Sequence, residues 1–134
     1  MRYQRAESPA LLNGHEAARR FFASCFRAGD DQCEQLLVAH VDHAARCLHV
    51  EQYEGEPDSV GMPVRAIVAD ATRLGSVGVV LAHSHPGGDA SPSDADYRAT
   101  RRLARAGEAI DLAILDHLIF ADGDCRSMRR MGLL

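Results

Sequence analysis

Three residues carry the clearest chemical potential in this chain: His83, His85 and Asp96. The run Gly78 to Ala82 is apolar without polar alternation, the pattern of a strand covered on both faces, and His83 and His85 stand at its end. Being two apart on a strand, their side chains leave the same face and can share an ion, while Ser84 points the other way. Asp96 heads a helical stripe with Ala99, Thr100, Leu103, Ala106, Gly107 and Ile110, whereas Arg98, Arg101, Arg102 and Arg105 fall on the opposite, solvated face. A carboxylate on the inward face is costly without a partner. Two neutral imidazoles and one carboxylate suit Zn(II) with a fourth position left for water, which is an open catalytic site. The competing interpretation at this point is two hydrogen-bonded histidines and a helix N-terminal acid favoured by the dipole.

Other elements must hold these residues in place. Asn13 is positioned to cap a helix running to about Arg27, with Ala17, Phe21, Phe22 and Cys25 as its apolar stripe and Gly29 as a stop. The runs Leu36 to Val41 and Arg46 to Tyr53 flank Asp42-His43-Ala44 and read as a hairpin. A loop from Tyr53 to Gly61 follows, then a helix from Pro63 through Leu74. After the central strand, a helix from Pro92 to about Ala109 leads to a strand from Leu112 to Ala121. A turn at Asp122-Gly123-Asp124 and a last strand from Cys125 to about Arg130 complete the chain.

The 134 residues, 46% hydrophobic and 25% charged, are expected to form one domain over 1–134. No apolar stretch approaches the roughly 20 residues of a membrane span, and Met1 to Arg5 leads into no signal-like run. All fifteen basic residues are Arg against nineteen acids, for a net charge of −4, which counts against nucleic-acid binding. Cys25, Cys33, Cys47 and Cys125 show no Cys-x-x-Cys pair, as expected of buried, reduced thiols in a cytoplasmic protein.

His83-Ser84-His85-Pro86, then Pro92-Ser93, then Asp96, resembles the JAMM (MPN+) metalloprotease signature. Leu81 to Asp89, Thr100-Arg101-Arg102-Leu103 and Leu115-Asp116-His117-Leu118-Ile119 make the chain similar to the RadC subfamily over almost its whole length. Ser84 and Gly87 depart from that subfamily's usual His-Asn-His-Pro-Ser-Gly, and both lie between ligands. The longer RadC proteins also begin with a helix-hairpin-helix segment associated with DNA binding, which is not expected here.

The resemblance implies an α/β domain with a mostly antiparallel sheet flanked by helices, and zinc held by His83, His85 and Asp96. It also implies a water-activating Glu34, from the register of Glu34-Gln35-Leu36-Leu37-Val38-Ala39-His40-Val41-Asp42, where Leu36 replaces an aromatic residue. Glu51, Glu54 and Glu56 are the rival bases. Ser93, three residues before Asp96, is expected to donate to the developing oxyanion, and its spacing equally fits a helix cap with Asp96. The implied activity is hydrolysis of a peptide or isopeptide bond in a peptide or protein substrate, ubiquitin-like or sulfur-carrier-like proteins included. The alternatives are a DNA-repair-associated factor and a metal-bound interaction module without turnover.

His40, His43 and His49 read as exposed hairpin histidines, since no carboxylate or Cys recurs with them at ligand spacing. Of Asp116 and His117, in an otherwise apolar strand, at least one is expected to be paired, in a structural hydrogen bond. The arginines of the Pro92–Ala109 helix, with Arg126, Arg129 and Arg130, read as a solvated face.

Overall fold

The computed structural model describes residues 2–3, 10–26, 34–54, 62–86 and 88–134. Arg27, Gly29, Cys33, Glu56, Gly87 and the loop at 55–61 lie outside the described residues, as does the side chain of Glu54. In chain order the elements are β1 (Arg2–Tyr3), α1 (His15–Cys25), β2 (Gln35–Val41), β3 (Cys47–Glu54), α2 (Val64–Leu74), β4 (Gly78–Ser84), α3 (Asp94–Glu108), β5 (Ala113–Ala121) and β6 (Asp124–Ser127). They form one sheet in the order β1-β3-β2-β4-β5-β6. Every pairing is antiparallel except β4 with β5, which α3 connects as a crossover. The architecture is the expected α/β fold with a mostly antiparallel sheet flanked by helices.

β2 and β4 are largely apolar because both of their faces are covered. Leu37, Ala39, Val80, Ala82 and Leu118 pack with Ala18 and Phe22 of α1. On the other side Leu36, Val38, Val79, Leu81 and Ile114 pack with Ile67 and Ala71 of α2 and Leu103 of α3. Each such fully buried Leu, Ile or Phe contributes about 1.5–3 kcal/mol by leaving water. The alternation therefore sends His83 to the α2/α3 side and Ser84 to the α1 side.

Helix ends follow local chemistry with one correction. Gly14, not Asn13, caps α1, and without a side-chain bond. The buried pair is accordingly Ala18 and Phe22, with Phe21 and Cys25 half-buried beside it. Gly75 closes α2 in the left-handed region (φ 67°), and the Ser76 amide bonds back to the Ala71 carbonyl. At the α3–β5 connection only glycine fits position 107, since a Cβ there would stand 2.4 Å from the Leu112 carbonyl oxygen. Ile110, expected on the inward stripe, lies beyond the end of α3 and is exposed.

Two further differences concern the sheet. The N-terminal dipeptide Arg2–Tyr3 adds a short strand beside β3, which no apolar pattern announces. β6 ends at Ser127, shorter than expected, and pairs only with Leu118–Ala121. Beyond it Arg129 reaches back along β5, its guanidinium donating to the carbonyls of Ile114 and Leu115.

His40 and His49 are not exposed. They face one another across β2 and β3 and are 0% and 5% accessible; only His43, in the turn, is exposed. Ser76 lies 3.1 Å from His40 Nδ1 and Glu51 lies 2.9 Å from His49 Nε2, while His40 Nε2 is buried with no hydrogen-bond partner among the described residues.

Candidate metal centre

The site forms where β4, the start of β2 and the first turn of α3 meet. His83 sits in the ladder opposite Leu36 on one side and Ile119 on the other. His85 lies just past the strand, yet its amide still donates to the Phe120 carbonyl at 2.8 Å, so its backbone remains tied to β5. Glu34 precedes β2 by one residue, beyond the Gln35–Ser84 pair, where the same alternation that buries Leu36 and Val38 turns it to the α2/α3 side. That pair is tied by a bond of 3.0 Å from the Gln35 amide to the Ser84 hydroxyl.

The expected residues come together. Asp96 Oδ1 is 3.4 Å from His83 Nδ1 and its Oδ2 is 3.1 Å from His85 Nε2. On the other side of the His83 ring, Glu34 Oε2 is 3.2 Å from Nε2. Glu34, His83 and His85 offer ligand atoms within 4.8 Å of one another and form a candidate metal-binding group. Asp96 reaches both histidines from the helix side. The rings of His83 and His85 meet edge to face, with centroids 4.7 Å apart.

The donor set is rich in acceptors. His85 Nδ1 lies 3.0 Å from the Asp89 carbonyl, which can only accept, so this nitrogen carries the proton and Nε2 turns a lone pair toward Asp96. Both nitrogens of His83 face carboxylates, and a neutral imidazole has one N–H to give. More lone pairs than protons therefore converge, an arrangement that a divalent cation would satisfy, and the Asp89 carbonyl holds the His85 ring from behind. Burial holds the His83 imidazole below its usual pKa, which favours the neutral, ligating form despite the carboxylates beside it. Burial also works against ionisation of Asp96, but the Ser93 amide and the two histidines outweigh it and hold its carboxyl below the usual range.

Ser93 is the N-cap of α3. Its Oγ accepts from the Asp96 amide at 3.0 Å while Asp96 Oδ2 accepts from the Ser93 amide at 2.9 Å, a complete capping box. The cap fixes Asp96 Oδ2, the atom next to His85. Since Oγ serves the cap only as an acceptor, its own proton remains available to donate.

Sequence reasoning missed the supports. Thr100 Oγ1 donates to the Asp96 carbonyl at 2.7 Å and lies 2.7 Å from Nδ1 of His117, whose ring is 5.8 Å from that of His83. Burial pushes the His117 imidazole down to about 3. Thr100 was visible on the inward stripe and His117 as a polar residue in an apolar strand; their pairing was not. Asp89 also escaped notice, although an Asx turn to the Ser91 amide (2.9 Å) sets its loop and, with the Ser91 side chain, keeps its carboxyl below the usual range. Asp116 has the expected structural part, accepting from the amides of His117 and Arg129 and from the Ser127 hydroxyl. Among the rival bases, Glu51 is engaged with His49, away from His83.

With fold and site in view, comparison with known proteins gives the class. The sequence model of the RadC-like JAB domain matches residues 12–133, and the chain belongs to that family. It is similar to a UPF0758 protein of Aliivibrio fischeri strain MJ11, with 31% identity over 131 residues, covering 97% of this chain and 58% of the relative. A UPF0758 protein of Acidithiobacillus ferrooxidans is 34% identical over 116 residues, covering 85% of this chain and 50% of the relative. The chain thus spans between half and three fifths of the length of these curated relatives. Among the described residues no helix is long and apolar enough to cross a membrane.

Proposed function

We propose that this chain is a zinc-dependent hydrolase of peptide or isopeptide bonds, with His83, His85 and Asp96 as ligands, Glu34 as general base and Ser93 as oxyanion donor. The observation that carries this reading is the convergence of Glu34 and Asp96 on the two imidazoles, with His85 Nδ1 committed to the Asp89 carbonyl. A zinc ion bound there supplies a water acidified towards a pKa of about 7 and a polarised carbonyl. Glu34, half-buried and outside the helix cap, accepts the proton of the attacking water and returns it to the leaving amine. Ser93 holds Asp96 through the capping box and directs its hydroxyl proton to the oxygen that becomes negative.

The substrate on this reading is a peptide or protein, ubiquitin-like and sulfur-carrier-like proteins included, cut in the cytoplasm. Nucleic acid is a poor fit to a chain of net charge −4. Elemental analysis of the purified protein, together with cleavage profiling on a peptide library, tests the proposal. One zinc per chain with metal-dependent cleavage is expected. Zinc without cleavage would leave a metal-bound interaction module, and neither zinc nor cleavage would remove the reading.

A further inference from the structure

A pocket of about 250 Å³ opens beside the metal centre, and the chemistry described so far does not use it. His85 and Pro86 form one wall, Phe26, Phe120 and Ala121 an apolar lining, and Asp122 and Asp124 an acidic rim. The geometry points to this pocket as the subsite for the substrate residue flanking the scissile bond, selecting a side chain with an apolar stem and a cationic head, arginine or lysine. The inference rests on the hydrolase reading and adds the substrate class to it.

Position is the first argument. His85 both lines the pocket and faces Asp96, so a substrate whose carbonyl reaches the centre has a flanking Cα, with consecutive Cα atoms about 3.8 Å apart, within reach of the pocket. Shape and polarity are the second. Phe26 and Phe120 pack against each other with ring centroids 5.2 Å apart, a fixed aromatic wall suited to methylene groups and to the face of a guanidinium. Charge is the third. Asp122 and Gly123 have φ of 49° and 83°, the signature of a tight two-residue hairpin turn, so the backbone fixes the direction in which the Asp122 side chain leaves the chain. Asp122 makes no ion pair among the described residues, and Asp124 has only Arg126 at 3.7 Å, both half-exposed. The rim therefore keeps net negative charge to offer a cationic head, and it repels an acidic one.

The test uses zinc-supplemented protein and a set of peptides identical except for one residue, Arg, Lys, norleucine or Glu, placed in turn on either side of the scissile bond. Arg and Lys peptides are expected to exceed norleucine by about tenfold in kcat/KM, as two half-exposed ion pairs allow, with Glu slowest. Added salt should shrink the preference. The double change Asp122→Asn with Asp124→Asn, in which Asn tolerates the left-handed backbone at 122, should bring the Arg-to-norleucine ratio to about one. Equal rates for Arg and norleucine, or a preference that survives the double change, would overturn the subsite. If no peptide is cut, the hydrolase reading falls, and the pocket is judged separately by titrating N-acetyl-arginine amide and N-acetyl-norleucine amide. Amide NMR shifts at Phe120 and Asp122 with the arginine compound alone support the subsite; their absence overturns it.

Discussion

Two pairs of histidines, His40 with His49 and His83 with the half-buried His85, stand on one sheet and have opposite characters. His40 and His49 lie within the β2–β3 hairpin, and their mates are a serine hydroxyl and a single carboxylate. His83 and His85 lie at the end of β4, where two carboxylates and a backbone carbonyl, all acceptors, close around the rings. Residue type and depth hardly distinguish the pairs, for His40 and His83 are 0% and 3% accessible. What separates them is proton balance. In the first pair each contact can be made by a neutral ring, whereas in the second the ring protons run out and a cation is the natural complement.

The largest expected effect breaks the second pair. His85→Ala should abolish zinc binding, while His40→Gln should leave one zinc per chain; elemental analysis of both proteins makes the contrast, and full zinc in His85→Ala would cancel it. Next comes Glu34→Gln, which keeps the shape but not the proton acceptor, and turnover should fall by about 10² to 10⁴ with zinc retained. If zinc is lost instead, Glu34 is a ligand and Asp96 the bystander.

Ser93→Ala should lower kcat by roughly 10² to 10³ through the lost oxyanion donor, and stability by about 1 kcal/mol through the lost cap. Measuring kcat, zinc content and Tm on one preparation separates the two, since a lower Tm with unaltered kcat leaves Ser93 a cap alone.

The smallest effect belongs to the first pair and follows pH. Burial pushes the His40 imidazole from 6.5 down to about 4, so between those values the unfolded chain takes up a proton that the folded chain refuses. Its contribution is therefore neutral above about pH 6.5 and destabilising below, by about 1.4 kcal/mol per pH unit until pH 4. Urea midpoints at pH 7 and pH 5 should differ more in the wild type than in His40→Gln, and equal slopes would refute the assignment.

Periodicity and spacing made most of this molecule legible. The two faces of β4 place His83 and Ser84 on opposite sides, and Asp96 follows from the stripe on α3. Glu34 was reached through the family resemblance, and it lies 3.2 Å from His83. Most of the failures have one physical origin, contacts between segments far apart in the chain. His40 owes its burial to the α2 side of the sheet and its mate Ser76 to a turn 36 residues on. Thr100 and His117 are 17 apart, and neither position hints at the other. Asn13 looks like a better cap than Gly14, but α1 begins at His15, and the Leu12 amide is held by the Ala45 carbonyl at 2.8 Å.

The guanidinium of Arg129 has a consequence for how these molecules treat one another. β6 protects only the last part of β5, and the carbonyls of Ile114 and Leu115 would otherwise be open acceptors on the margin of the sheet. A second chain adding there would have to displace a planar, permanently charged donor already spread over both oxygens. Arg129→Ala is therefore expected to leave both carbonyls unpaired at this rim and to raise self-association at high concentration, which light scattering beside the wild type checks.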